Sequence, residues 1–419
     1  MNRIRVAASL CVALGWLASA GCGSGNGAAQ ADRGARSADL KVEPKLVTAM
    51  NDFGFRLHRQ LLAADPTGNV FLSPTSIQLA LGMAFNGARA ETRTAMAAAL
   101  GYGDLTTEQV NEANKGLLEL LANPDPKVDL YIANAVWARS GMTFDPGFLQ
   151  RTRDSFLAQQ ETVDFSQPEA AQRINAWVSD RTAKRIPEIV TADAIRDAIL
   201  VLTNAVYFKA GWTDAFQVAA TSPAEFAQAS GKPATVPMMR RSGQFSYAET
   251  DQYQAVRLPY AGRQVGMVVV LPRPGVKLAD VAGALNGAKW RELRSGMAMR
   301  PGEVRLPRFK ARTSASLKTS LSALGMGIAF DPGRADLNGV LPEGATTERV
   351  YISDALHRTV LTVDEQGTEA AAATAVIVGI TSAPAGEPFR MVVDRPFLLA
   401  IEDEPTGVIL FVGSIGQPE

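Results

Sequence analysis

The run VLTVDEQGTEAAAATAVIVGI, from Val360 to Ile380, places an alanine-rich stretch between two strand-like segments and gives it almost nothing to bury. Alanine is the best helix former and is depleted in strands, so a short helix is the first expectation. Gly367 at its start and the β-branched residues from Thr374 to Thr381 at its end both oppose a helix. Read as a strand, it turns Thr368, Ala370, Ala372, Thr374, Val376 and Val378 to one face and Glu369, Ala371, Ala373, Ala375 and Ile377 to the other. Such a ribbon cannot hold itself at a sheet edge. It can enter between two existing strands that part for it, because small side chains meet little steric resistance there.

The rest of the chain supplies sheet. After a first helix with Leu46, Met50, Phe53 and Leu57 at helical spacing come a short strand and a helix opened by Pro74, in VFLSPTSIQLALGMAFNGA. His58, on that amphipathic first helix, is expected at the surface. Further helices and a strand precede AILVLTNAVYFKAGW, which is apolar on both faces and is expected to be a central strand covered on two sides. The second half is mainly strands, up to GVILFVGSI. With 47% hydrophobic and 20% charged residues, a sizeable core is available. The expected class is α+β in one domain, helix-rich first and sheet-rich later.

Lys+Arg and Asp+Glu both total 42, so no basic excess marks a nucleic-acid partner. The start, MNRIRVAASLCVALGWLASAGC, has Arg3 and Arg5 before an apolar run too short to span a bilayer, then small residues, which reads as an export signal over residues 1–21. SAGC resembles the bacterial lipoprotein signal, with Cys22 as the lipidated first residue, although Ser19 stands where that pattern usually has Leu; ordinary signal cleavage is the alternative. Cys11 leaves with the signal, so Cys22 would be the only remaining thiol, and acylation would consume it and tether the protein to a membrane. Residues 22–39 read as a flexible tether and residues 40–419 as one domain. The expected location is the cell envelope or the extracellular space.

Catalytic patterns are scarce. His58 and His357 are the only histidines, and no nucleophile elbow, phosphate loop, Cys/His metal cluster or His-Glu-x-x-His occurs. A hydrolase built on His357 is the weakest of three readings. No cofactor is implied.

Several segments, in one order from about Asp52 to Gly416, resemble the serpin family: NVFLSPTSIQLALGMAFNGA, TNAVYFKAGW, VPMM, VRLPRFK, ADLNGV, YISDALHRTVLTVDEQGTEAAAATA and VDRPFLLAIEDEPTGVILFVGSI. The resemblance implies an α+β serpin-like fold, with N-terminal helices packed on a large mixed sheet, further smaller sheets and an exposed reactive-centre loop at about residues 365–387, of which the alanine-rich stretch is the hinge. The matching hinge residues are Glu365, Gly367, Thr368, Glu369, Ala370, Ala371, Ala372, Ala373 and Thr374. It further implies an irreversible inhibitor of serine endopeptidases. Such an inhibitor is cleaved as a substrate and forms an acyl-enzyme, then inserts the freed hinge into the main sheet. The family's usual spacing puts the reactive bond at Thr381–Ser382, within Ile380 to Ala385, and the apolar residues before it suit an elastase-like or subtilisin-like protease. Ser73, Ser76, Asn204 and His357 match the family's shutter, and Trp212 its breach. The segment TAKRI, Thr182 to Ile186, departs from the family's usual Thr-x-Gly-Lys-Ile. A monomer with a covalent protease partner is expected; a non-inhibitory serpin with a binding or chaperone-like role is the alternative.

Overall fold

The computed structural model describes residues 42–122, 125, 127–347, 349–368 and 387–418. Cys22, Glu369, Ala370, Ala371, Ala372, Ala373, Thr374, Thr381 and Ser382 lie outside the described residues.

The helices used below are α1 (Pro44–Ala64), α2 (Pro74–Phe85), α3 (Ala90–Leu100), α4 (Thr107–Leu121), α5 (Pro146–Phe156) and α6 (Pro168–Arg181). The strands are β1 (Val70–Leu72), β2 (Val128–Arg139), β3 (Gln159–Val163), β4 (Leu200–Gly211), β5 (Ser222–Ala227), β6 (Pro233–Glu249), β7 (Tyr253–Pro259) and β8 (Val265–Pro272). They continue with β9 (Ala298–Pro307), β10 (Phe309–Ser316), β11 (Leu356–Val363), β12 (Gly367–Thr368), β13 (Phe389–Val392), β14 (Phe397–Asp403) and β15 (Val408–Ile415).

They form two sheets. One runs β10-β11-β12-β4-β2-β3, and the other runs β1-β15-β14-β8-β7-β6-β9-β13, with β5 paired to β6. The segment β8, with all eight residues buried, lies within the second sheet beside β14 and β7, as its unbroken apolar run requires.

Local sequence sets the helix starts. Pro44 and Pro74 occupy first-turn positions where a missing N–H removes no helical bond, and the Ser73 hydroxyl accepts the Ser76 N–H at 3.2 Å. Gly54 lets α1 lie against the start of α2, since a Cβ there would stand 2.6 Å from Pro74 Cγ. In α2 every residue from Pro74 to Phe85 except Ala80 is buried, so this helix is a core element beneath β4 and β15.

Two expectations need correction. His58 is fully buried, not at the surface, because β15 covers the side of α1 that periodicity leaves for solvent; its Nε2 lies 3.1 Å from Ser414 Oγ. The outer face of β4 is covered only in part. Ile174 and Val178 of α6 pack with Ala205 and Val201, while Tyr207 and Lys209 remain half-buried.

The turn after α6 contains the segment TAKRI. Ala183 and Lys184 have φ of +48° and +63°, in the left-handed region where glycine is at ease. Lys184 stands at the position where the family more often has glycine.

Candidate functional site

The six-stranded sheet is divided by a two-residue strand. β12 sits between β11 and β4, with Thr368 opposite Val363 on one side and Ala210 on the other, and Gly367 opposite Gly211. Among the described residues no ladder joins β4 directly to β11. Gly367 has φ +153°, and a Cβ on it would clash with the Ala210 carbonyl and Gly211 Cα, so only glycine fits at this entry point.

The turn leading into β12 is held from several elements. The Asp364 carboxylate accepts the N–H groups of Gln366 and Gly367 at 2.9 and 3.2 Å. Trp212 donates its backbone N–H to the Gln366 carbonyl at 2.8 Å and its indole N–H to the Asp364 carbonyl at 3.0 Å. Phe216 N–H donates to the Glu365 carbonyl at 2.9 Å. The Glu365 carboxylate is buried and accepts from Arg308 at 2.6 Å and from the Thr221 hydroxyl at 2.7 Å. Burial by itself would raise the Glu365 carboxyl, but the Arg308 and Thr221 bonds outweigh it and hold the group below the ordinary carboxylate range. Thr368 is buried, with its hydroxyl 2.6 Å from the Tyr260 hydroxyl.

Lower on the same sheet lies a polar chain. Asn204 and Asn134 face each other across β4 and β2, and the Asn204 amide donates to Asn134 Oδ1 at 2.6 Å. The Ser76 hydroxyl donates to Asn204 Oδ1. Ser73 N–H donates to His357 Nε2 at 3.2 Å, joining α2 to β11. Ser73, Ser76, Asn204 and His357 therefore meet at one place, where the start of α2 lies under β4 and β11.

This arrangement cannot run hydrolysis. With Nε2 accepting a backbone N–H, the His357 ring is neutral with its proton on Nδ1, and burial pushes its pKa down to about 4. A general base needs a free lone pair facing a substrate, and this one is occupied.

The family model described as serpin (serine protease inhibitor) matches residues 48–418. The chain belongs to the serpin family.

An uncharacterised serpin-like protein of Thermococcus kodakarensis is 36% identical over 90% of this serpin and 87% of its own length. Leukocyte elastase inhibitor of Equus caballus is 34% identical over 89% of this chain and its entire length. Among solved structures, the thermophilic serpin tengpin in its native state aligns with a TM-score of 0.81 at 29% identity, covering 90% of this chain and 95% of its own.

Sequence reading missed Asn134, Thr221, Tyr260 and Arg308. Each is a common residue type in a strand or turn far along the chain from its partner, and no local pattern marks it. The Arg308 contact yields a prediction. Arg308→Met leaves the buried Glu365 carboxylate with Thr221 as its remaining side-chain donor, so stability is expected to fall by about 1–3 kcal/mol near neutral pH, the lower half being favoured because Arg308 is half-exposed. The depressed carboxyl contributes stability above its unfolded pKa and loses it as pH falls through the folded value, so the difference between variant and wild type should shrink in acid. Urea titrations at neutral and acidic pH measure both.

Proposed function

We propose that this serpin is an irreversible suicide-substrate inhibitor of a serine endopeptidase, elastase-like or subtilisin-like, with Thr381–Ser382 as the reactive bond. The protease serine oxygen attacks the Thr381 carbonyl carbon, the bond to the Ser382 nitrogen breaks, and that nitrogen leaves as an amine with a proton from the protease histidine. The Thr381 acyl group stays on the protease. Insertion of the freed loop before water cleaves the ester carries the protease away from its starting position and distorts its active site.

The observation that carries this reading is the register of β12. Each residue after Thr368 moves one step back along both neighbours, because β12 is antiparallel to each. On insertion, the same register would set Ala370 between Leu361 and Phe208, Ala372 between Thr359 and Val206, and Thr374 between His357 and Asn204. Strand neighbours directly opposite share a face, and Thr368, Leu361, Thr359 and His357 are all buried. The residues that would turn inward are thus two threonines and two alanines. Glu369 would turn outward. Thr374, the last of the four, would bring a hydroxyl to the polar chain of Asn204 and His357.

The similarity to a protein named leukocyte elastase inhibitor and the apolar run Val376, Ile377, Val378 support an elastase-like target. We also propose export and a lipid tether through Cys22, which radiolabelled fatty acid incorporation lost in Cys22→Ser would support and unlabelled wild type would refute.

The deciding experiment incubates the protein with an elastase-like and a subtilisin-like protease and examines a denaturing gel. A band at the summed mass that survives denaturation is the expected result, with mass spectrometry of the released C-terminal fragment locating the bond. Clean cleavage without that band, for both proteases, and no gain in melting temperature of the cleaved protein would overturn the reading and favour a binding role.

A further inference from the structure

The described residues flanking the reactive loop are joined by one continuous stack. At its near end Tyr260, bonded to Thr368, lies flat on Trp212 with ring centroids 4.5 Å apart. Trp212 meets Phe216 edge-on at 6.4 Å. The Arg241 guanidinium stands 5.7 Å from the Phe216 ring and 4.4 Å from the Phe245 ring, so it bridges the two. Phe245 meets Phe389 edge-on at 5.8 Å, and Phe389 lies flat on Tyr247 at 3.8 Å. Phe389 opens β13, the first strand after the loop. All these separations fall within the reach of aromatic and cation–π attraction or of tight ring stacking.

Arg241 is the middle link of this stack. It donates to the Asp214 carbonyl, and among the described residues no carboxylate lies within 4 Å of it. Two rings flank its charge, and burial pushes its pKa down to about 10 against the opposing pull of the Asp214 charge, which leaves it charged at neutral pH. On one side it touches Phe216, whose N–H holds Glu365. On the other it touches Phe245, against which Phe389 is seated. The Phe389 ring also lies so close to Gly302 that a Cβ there would clash with it, so this end of the stack is fixed in position.

We propose that Arg241 couples the two roots of the reactive loop, so that the grip of Trp212 and Phe216 on Glu365–Gln366 depends on whether Phe389 is seated in β13. Loosening either root loosens the other. In the intact protein both roots are held; once β13 loosens, the breach loosens with it. This deepens the inhibitory reading by naming the residue that links the hinge to the far end of the loop, and its test needs no protease.

The test is amide hydrogen exchange on the full chain at neutral pH, comparing wild type, Phe389→Leu, Arg241→Met and the double variant. The readouts are the Trp212 and Phe216 amides, which bond Gln366 and Glu365, with amides of β8 and β14 as controls. Each single variant should exchange about tenfold faster at both breach amides, the size of one lost ring contact. The double variant should be no more than about threefold faster than the faster single, because one link broken twice is still one link. Wild-type rates at the breach in Phe389→Leu would overturn the proposal, as would single effects that multiply in the double variant. Equal acceleration in β8 and β14 would overturn it too, since the change would then be a loosening of the whole fold. Failure of the coupling leaves the gel assay for covalent trapping unaffected, so the two readings fail separately.

Discussion

Thr368→Arg is expected to turn this serpin from an inhibitor of its protease into a substrate. Thr368 is buried between β11 and β4 with its hydroxyl on Tyr260, and the core behind it is aromatic: Tyr260 meets Phe208 at 5.0 Å and Trp212 at 4.5 Å. A guanidinium would displace the hydroxyl bonded to Tyr260 and stand against these rings, and it is too long for the space a threonine fills. The side chain would either be forced inward unpaired or hold the hinge out of the sheet. The expected penalty on insertion is at least about 3 kcal/mol, which slows that step by about 100-fold. Hydrolysis of the acyl-enzyme takes place at the protease and is not slowed by a change in the hinge. The partition therefore shifts from trapping to release, seen as a large rise in the moles of inhibitor consumed per mole of protease inactivated. Thr368→Ser keeps the hydroxyl and the small volume and should behave as wild type. Undiminished trapping by the arginine variant would show that insertion does not proceed through the β12 register.

The second large effect is acid sensitivity centred on the two histidines. Both are buried and both have pKa values pushed down to about 4, His58 by burial with a further contribution from Arg59, and His357 by burial. An unfolded chain takes up these protons near pH 6.5, whereas the folded chain resists them until about pH 4. The unfolded state thus binds more protons throughout that window, so stability falls as pH drops through it. Each histidine contributes about 2–3 kcal/mol of loss on going from pH 7 to 4.5, about 5 kcal/mol together. Burial pushes the Glu402 carboxyl up to about 7, which opposes the histidines over the same range, so the test is the difference between proteins: in urea titrations His58→Gln and His357→Gln should each lose less stability than wild type on going from pH 7 to 4.5. Equal slopes in wild type and both variants would place the acid sensitivity elsewhere. The two sites also differ in consequence. Protonating His357 removes the acceptor for Ser73 N–H and unties α2 from β11, so acid should ease parting of the strands; protonating His58 strains the contact between α1 and β15.

Some of this was legible in the chain itself. The alternation of Thr368, Ala370, Ala372 and Thr374 with Glu369, Ala371 and Ala373 follows from the two-residue period of any strand, which is a property of neighbouring bonds. Pro74 after Ser73 fixes the start of α2 for an equally local reason, and the apolar runs of β8 and β15 declare interior strands by their composition. Gly367 could be marked as a required glycine, though not the carbonyl that requires it.

Other features were settled only by folding. Arg308 finds Glu365, Tyr260 finds Thr368, and Asn134 finds Asn204 because particular strands lie side by side in one register, and a slip of one residue would turn each of them to the opposite face. His58 was misread for the same reason: helical periodicity identifies one apolar face of α1, whereas β15 covers a second. Local preference is decided by torsions and side-chain size within a few residues. Burial, charge pairing and the stack through Arg241 depend on which distant segments become neighbours, which is fixed only when the whole core closes.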